Sequence, residues 1–206
     1  MPKARRASAG KGRWRAQTEH DMAFADAMLV ETGRVLPMFV IHSAKASYAV
    51  LTGWRDADDK LAVARVIKLF CIAKNAEALS FVAEAWSAAM RRRIGESEAE
   101  FEERATSLAP SEREDREEVI IAETSWRERG EVRSFALMRV IERGADGKPS
   151  GTTAGPLPDA DAIESWRSRW ADLLPERAPR PMEVAMAELL LRAMPGTGIT
   201  EIARDN

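Results

Sequence analysis

A carboxylate, Glu84, stands in the middle of the apolar run 79-LSFVAEAWSAAM-90, two residues before Trp86. Such a run reads as a β-strand, and side chains alternate between the two faces of a strand. Leu79, Phe81, Ala83 and Ala85 then share one face, and Ser80, Val82, Glu84 and Trp86 the other. Further along, Arg116, Glu118, Ile120 and Ala122 share a face of a later strand, while Arg133, Phe135, Leu137, Arg139, Ile141 and Arg143 share a side of the next. If these strands are neighbours, Glu84 has several guanidinium groups within reach. A buried carboxylate left unpaired is expensive, so two chemistries suggest themselves. One is a cross-strand Glu–Arg ion pair. The other is a site in which Glu84 and Glu118 hold a divalent metal and Arg116 clamps a phosphate. The spacing specifies neither. Glu84, Trp86, Arg116, Glu118, Arg139 and Arg143 are therefore a candidate pocket or ion-pair cluster, with no catalytic residue assigned.

The elements that must position this cluster are legible in outline. Residues 1–16 are small, polar and basic and read as a disordered tail. A helix is expected over residues 18–32, with Thr18 as its N-cap and Gly33 as its stop. The stretches 35-VLPMFVIHS-43 and 47-SYAVLTGW-54 read as a hairpin, with Pro37 placing the first strand at a sheet edge or delaying its start. Asp56 and Asp58 offer caps for 58-DDKLAVARVIKLFCIAKNAEA-78, apolar over most of its circumference and so a central packed helix. An acidic connector, residues 95–118, carries ten acids against three arginines, with a short helix expected around 98–105. The strands 118–126 and 131–143 follow, joined by a turn near Gly130. After a Gly- and Pro-rich loop, two C-terminal helices line up Ile163, Trp166, Trp170 and Leu173, and then Met182, Met186, Leu189 and Leu190.

Glu84-Ala85-Trp86, followed by Pro110-Ser111-x-x-x-Asp115-Arg116-x-Glu118-Val119, resembles small proteins common in bacterial genomes and prophages. In those proteins an E-A-W strand precedes a P-S-x-x-x-D-R-x-E segment, and a later strand ends in an arginine that Arg143 matches. The likeness covers roughly residues 34–145, leaving out the C-terminal helices. It implies a fold and a genomic context, and no activity.

Other candidates weigh less. His20 and His42 lack the spacing of a zinc site, so no metal or cofactor is expected. His42 reads as a polar residue at a strand end. Cys71, in an apolar helix, reads as an inert core thiol, and a lone cysteine excludes a disulfide framework. No phosphate-binding glycine loop is present. Arg5, Arg6, Lys11, Arg13, Trp14 and Arg15 form a weak nucleic-acid-binding candidate, the ring stacking on bases and the cations meeting phosphates. The remainder of the chain has 25 basic against 33 acidic residues, which argues against a broad nucleic-acid face.

Taken together, the residues point to an α+β chain: a mostly antiparallel sheet of about five strands, a central packed helix and a C-terminal helical pair. The expected divisions are a basic tail at 1–16, a core at 17–158, a helical extension at 159–195 and a flexible tail at 196–206. With no apolar run of about 18 residues and no secretory pattern, the expected location is cytoplasmic. The leading functional expectation is a non-enzymatic accessory protein that binds a protein partner or self-associates. It would use the acidic connector or the C-terminal Trp helix, and the apolar stripe of Met182–Met194 suggests self-association. The alternatives are a metal-dependent enzyme of phosphate or nucleotide chemistry and nucleic-acid contact through the tail.

Overall fold

The computed structural model describes residues 3–87, 94–107, 110–154, 170–194 and 200–205. Four α-helices are described, α1 (Lys3–Thr32), α2 (Ala57–Ala73), α3 (Glu98–Thr106) and α4 (Pro181–Ala193). Seven strands are described: β1 (Met38–His42), β2 (Ala46–Leu51), β3 (Ala78–Ser87), β4 (Glu117–Glu128), β5 (Glu131–Arg143), β6 (Pro149–Ala154) and β7 (Thr200–Asp205). They form one antiparallel sheet in the order β6-β5-β4-β3-β1-β2-β7. The α+β class is as expected, with two strands more than the sequence suggested.

The two added strands lie at the edges. β6 folds back on β5 after a turn that needs a left-handed residue, supplied by Gly147 at φ 76°. β7 pairs with the outer side of β2, so the flexible tail that the sequence suggests at 196–206 is corrected for Thr200–Asp205. Both strands are short, and β6 is rich in Gly, Ser and Thr, so neither has an apolar alternation to announce it. The β4–β5 hairpin turns through Arg129 and Gly130 at φ 55° and 84°, the paired positive values of a tight two-residue turn. β1 starts directly after Pro37 and runs through the sheet interior, between β3 and β2.

Helices cover both faces of the sheet. On one side α1 lays Met22, Ala25 and Leu29 on Val40, Val82 and Ala122. On the other, α2 sets Val63, Ile67 and Cys71 against Phe39, Ile41 and Leu79, and Trp170 and Leu173 close over them. Burying each of these large side chains is worth about 1.5–3 kcal/mol. Asp56 caps α2, its side chain accepting from the Asp59 amide at 2.8 Å. The Cys71 thiol is fully buried, and burial pushes its pKa up to about 12. It is an inert core group, as the sequence implied.

The expected disordered tail and Thr18 cap are corrected: α1 already begins at Lys3. Trp14, Thr18, Met22, Ala25 and Leu29 recur at helical spacing and are all buried, so the inward stripe continues into the basic segment. Thr18 is not a cap, because its hydroxyl donates to the Trp14 carbonyl at 2.9 Å, one turn earlier in the same helix. Trp14 packs with Ala78, Trp126 and Phe135. Of the C-terminal helical pair, α4 is found as expected. Most of the preceding helix, with Ile163 and Trp166, lies outside the described residues, and Ala171–Leu173 form a single 3₁₀ turn.

Candidate functional site

β3, β4 and β5 are adjacent, as the alternation argument required, and the register places Glu84 across from Ile120, which in turn faces Arg139. Trp86 lies across from Glu118. Among the described residues, the expected Glu84–arginine pair is nevertheless absent. Glu84 Oε1 instead accepts the Val35 amide at 2.5 Å, which pins the link between α1 and β1. Arg139 is two strands away, roughly 10 Å at normal sheet spacing. It pairs with Asp26 of α1, whose other oxygen accepts from the Thr152 hydroxyl at 2.8 Å. The correction has a tertiary cause: α1 covers this face and brings its own acid to the arginine.

The rest of the cluster resolves into separate local contacts. Arg143 grips Glu118 through two bonds of 2.7 Å and donates a third to the Gly147 carbonyl at 2.9 Å. Arg116 lies over the Trp86 ring at 4.8 Å and donates to the Ser111 carbonyl at 2.5 Å. The two carboxylates thus have different donors, and Arg116 is turned to a ring. Among the described residues, no group of three or more His, Cys, Asp or Glu side chains is placed to hold a metal ion.

A feature that sequence reasoning missed runs beneath α1. His42 Nδ1 meets Ser47 Oγ at 2.8 Å, and its Nε2 meets Ser80 Oγ at 3.2 Å. Ser80 continues to Thr124 at 2.9 Å, and Thr124 meets the Thr18 hydroxyl at 2.8 Å. The signal was present in the alternation, since Ser47, Ser80 and Thr124 all fall at inward positions of their strands. Serine beside histidine is the pairing of a nucleophile and its base. Here His42 is 3% exposed, Ser47 5% and Ser80 1%, and the Trp14 ring lies 5.4 Å from the imidazole. The seam lies inside the core and ties β1–β4 to α1 by satisfying buried polar groups.

The basic candidate is rearranged in the same way. Trp14 is buried, so it offers no face for a base to stack on. Arg13 covers its ring at 4.3 Å and approaches Glu77 at 3.7 Å. Arg15 reaches Glu19 at 3.5 Å and Phe135 at 4.9 Å. Arg5, Arg6 and Lys11 belong to α1, and their side chains lie outside the described residues. In the acidic connector, Ser97 and Glu100 form a capping box at the start of α3, and Arg104 forks onto Glu96 at 2.7 and 2.8 Å. Hydrogen bonds from Ser97 hold the Glu100 carboxyl below its ordinary range, and Arg113 does the same for Asp115.

A different kind of surface lies on the far side of α2. α4 packs against α2 by burying Ala187 at the middle of its inner face. Its N-terminus is fixed by Glu183, which accepts the Arg180 amide at 2.7 Å and forks onto Arg177 at 2.5 and 2.8 Å. The Arg177 guanidinium, and then the Arg180 amide, hold the Glu183 carboxyl down at about 2. The other flank of α4 is apolar and open: Met182 is 81% exposed, Met186 54%, Leu189 61% and Leu190 45%. Between this flank and α2 runs a groove of about 550 Å³, lined by Met186 and Leu190, by Leu69 and Ile72 of α2, and by Pro175 and Pro179 at the connection. The sequence showed the α4 stripe. It did not show the α2 wall, because a helix apolar over most of its circumference does not reveal which part stays uncovered.

No family model, no curated protein and no solved structure matches the chain. Among the described residues the chain is thus an α+β protein with a seven-stranded antiparallel sheet, a charged cluster held by separate local partners, and an open apolar groove between two helices.

Proposed function

We propose that this chain is a non-enzymatic interaction protein that engages a protein partner through the α4 flank and the adjoining groove. The observation that carries the reading is the set of four large apolar side chains, Met182, Met186, Leu189 and Leu190, exposed beside a concave apolar groove. A contiguous apolar surface of this kind is unfavourable in water and marks an interaction site. Methionines suit such a surface because their unbranched, polarisable side chains adapt to the partner. Docking of a helix into a groove between helices uses the same i, i+4, i+7 spacing that Met182, Met186 and Leu189 present. The resemblance of the Glu84-Ala85-Trp86 region to small bacterial and prophage proteins supports an accessory role in the cytoplasm. The acidic connector contributes less, since two of its acids, Glu96 and Asp115, are held by its own arginines.

A photo-crosslinking amino acid placed at Leu189, compared with one at Arg129 on the distant β4–β5 turn, tests the reading in the cells that make the protein. The expected result is a discrete adduct from position 189 and none from 129. Equal labelling from both positions, or none from 189, overturns it.

A further inference from the structure

We infer that the occupant of the groove is a partner helix with acidic residues along one flank of its apolar stripe, and this rests on the interaction reading above. The floor is apolar, but the α2 rim is not. Lys68 lines the groove, and Arg65 stands one turn earlier on the same side of α2 as Leu69 and Ile72. Both cations are exposed, and neither has an ion pair among the described residues. The opposite rim is electrically closed, since Arg177 and Glu183 hold each other. A ligand therefore meets an apolar floor with two unmatched positive charges on one side. Acidic residues on one flank of its apolar stripe complement that pattern, whereas basic residues there are repelled. The 13 residues of α4 set the length at about 20 Å, or three to four turns of a partner helix.

A second copy of this chain is the poorer fit. Its α4 would bring two acids, and neither is placed to answer Arg65 and Lys68. Glu183 is already held by Arg177 and the Arg180 amide. Glu188 falls roughly 140° around the helix from the apolar stripe, at 100° per residue. Self-pairing would cover the methionines and leave the cations unmatched.

The probe is a displayed library of 16-residue helical peptides with Leu, Ile, Met or Phe at i, i+3, i+4 and i+7. The flanking positions are randomised among Asp, Glu, Lys, Arg, Ser and Ala. Selection on the full chain is expected to enrich acid on one flank. The best binder should then lose about tenfold in affinity when its acids become lysines, measured by fluorescence anisotropy at low salt. The double variant Arg65→Glu, Lys68→Glu should reverse that preference, and Met186→Asp should abolish binding of either peptide. Binders without charge bias, or with basic flanks, overturn the acidic partner while leaving the groove as an interaction site. An absence of binders together with a dimer that Met186→Asp converts to monomer assigns the groove to a second copy and overturns this inference alone. An absence of binders from a monomer that also gives no adduct at Leu189 removes the interaction reading itself.

Discussion

Two surfaces of this molecule carry the residues that attract attention, and they have opposite characters. On the α1 side of the sheet, polar and charged groups from distant parts of the chain have been matched to one another. Asp26 meets Arg139, Glu118 meets Arg143, Glu84 meets the Val35 amide, and Thr18 joins the seam through Thr124 to His42. On the α4 side, Glu183 and Arg177 tie the N-terminus of the helix, Ala187 packs inward, and the outer flank presents methionine and leucine to solvent. The first surface is chemically rich, and most of its polar groups are matched within the molecule, the buried Trp126 indole N–H being an exception among the described residues. The second is chemically plain but open. Reactive residue types therefore mark structure here, and the exposed apolar face is where we propose that a partner binds.

The contrast can be broken most forcefully at Trp14. If the basic segment is truly part of α1, Trp14→Ala removes a buried ring at a cost of about 3–5 kcal/mol and lowers Tm by roughly 6–20 °C for a chain of this length. A solvated tail would leave the calorimetric melt unchanged. Next comes the polar seam. Thr124→Val keeps the shape but strips the hydroxyl that joins Thr18 to Ser80, and should cost about 1–3 kcal/mol in urea unfolding with an unaltered m-value. An effect within experimental error would show that the seam contributes nothing.

Smaller effects separate the ion pairs. A double-mutant cycle between Asp26→Asn and Arg139→Ala should show coupling of up to about 1 kcal/mol, as for other partly exposed pairs. The same cycle between Glu84→Gln and Arg139→Ala should show none. Coupling to Glu84 would restore the cross-strand pair inferred from sequence. Acid titration sharpens the other surface. Because the folded Glu183 carboxyl is held at about 2, below its ordinary value of 4.5, its contribution is fully present above pH 4.5. That contribution is lost as the pH falls from there through 2. Amide exchange over the first turn of α4 should therefore speed up relative to the α4 interior across that window, and Glu183→Gln should remove the pH dependence.

How far the sequence spoke can be judged residue by residue. The pleat argument assigned Ser80, Val82, Glu84 and Trp86 to one face and Leu79 and Phe81 to the other, which the register bears out. That success follows from the two-residue period of a strand, a local property. The partner of Glu84 was not legible, because the donor is a backbone amide brought there by α1 and the loop after it. Likewise the extension of α1 back to Lys3 was masked by a run of charge, although Trp14 and Thr18 already lay on its inward stripe. The edge strands β6 and β7 are placed by pairing with β5 and β2, so their own sequences carry little signal. The α4 stripe was visible, but whether it faced the core or solvent depended on where α2 ended its coverage.

The central claim is that the α4 flank serves binding and not the core, and pairing a melt with a binding assay on one variant tests it most directly. Met186→Asp, Leu190→Asp is expected to shift stability by no more than about 0.5 kcal/mol per site, as for surface positions, while the adduct formed from Leu189 disappears. A variant that unfolds, or one that melts normally and still forms the adduct, contradicts the account.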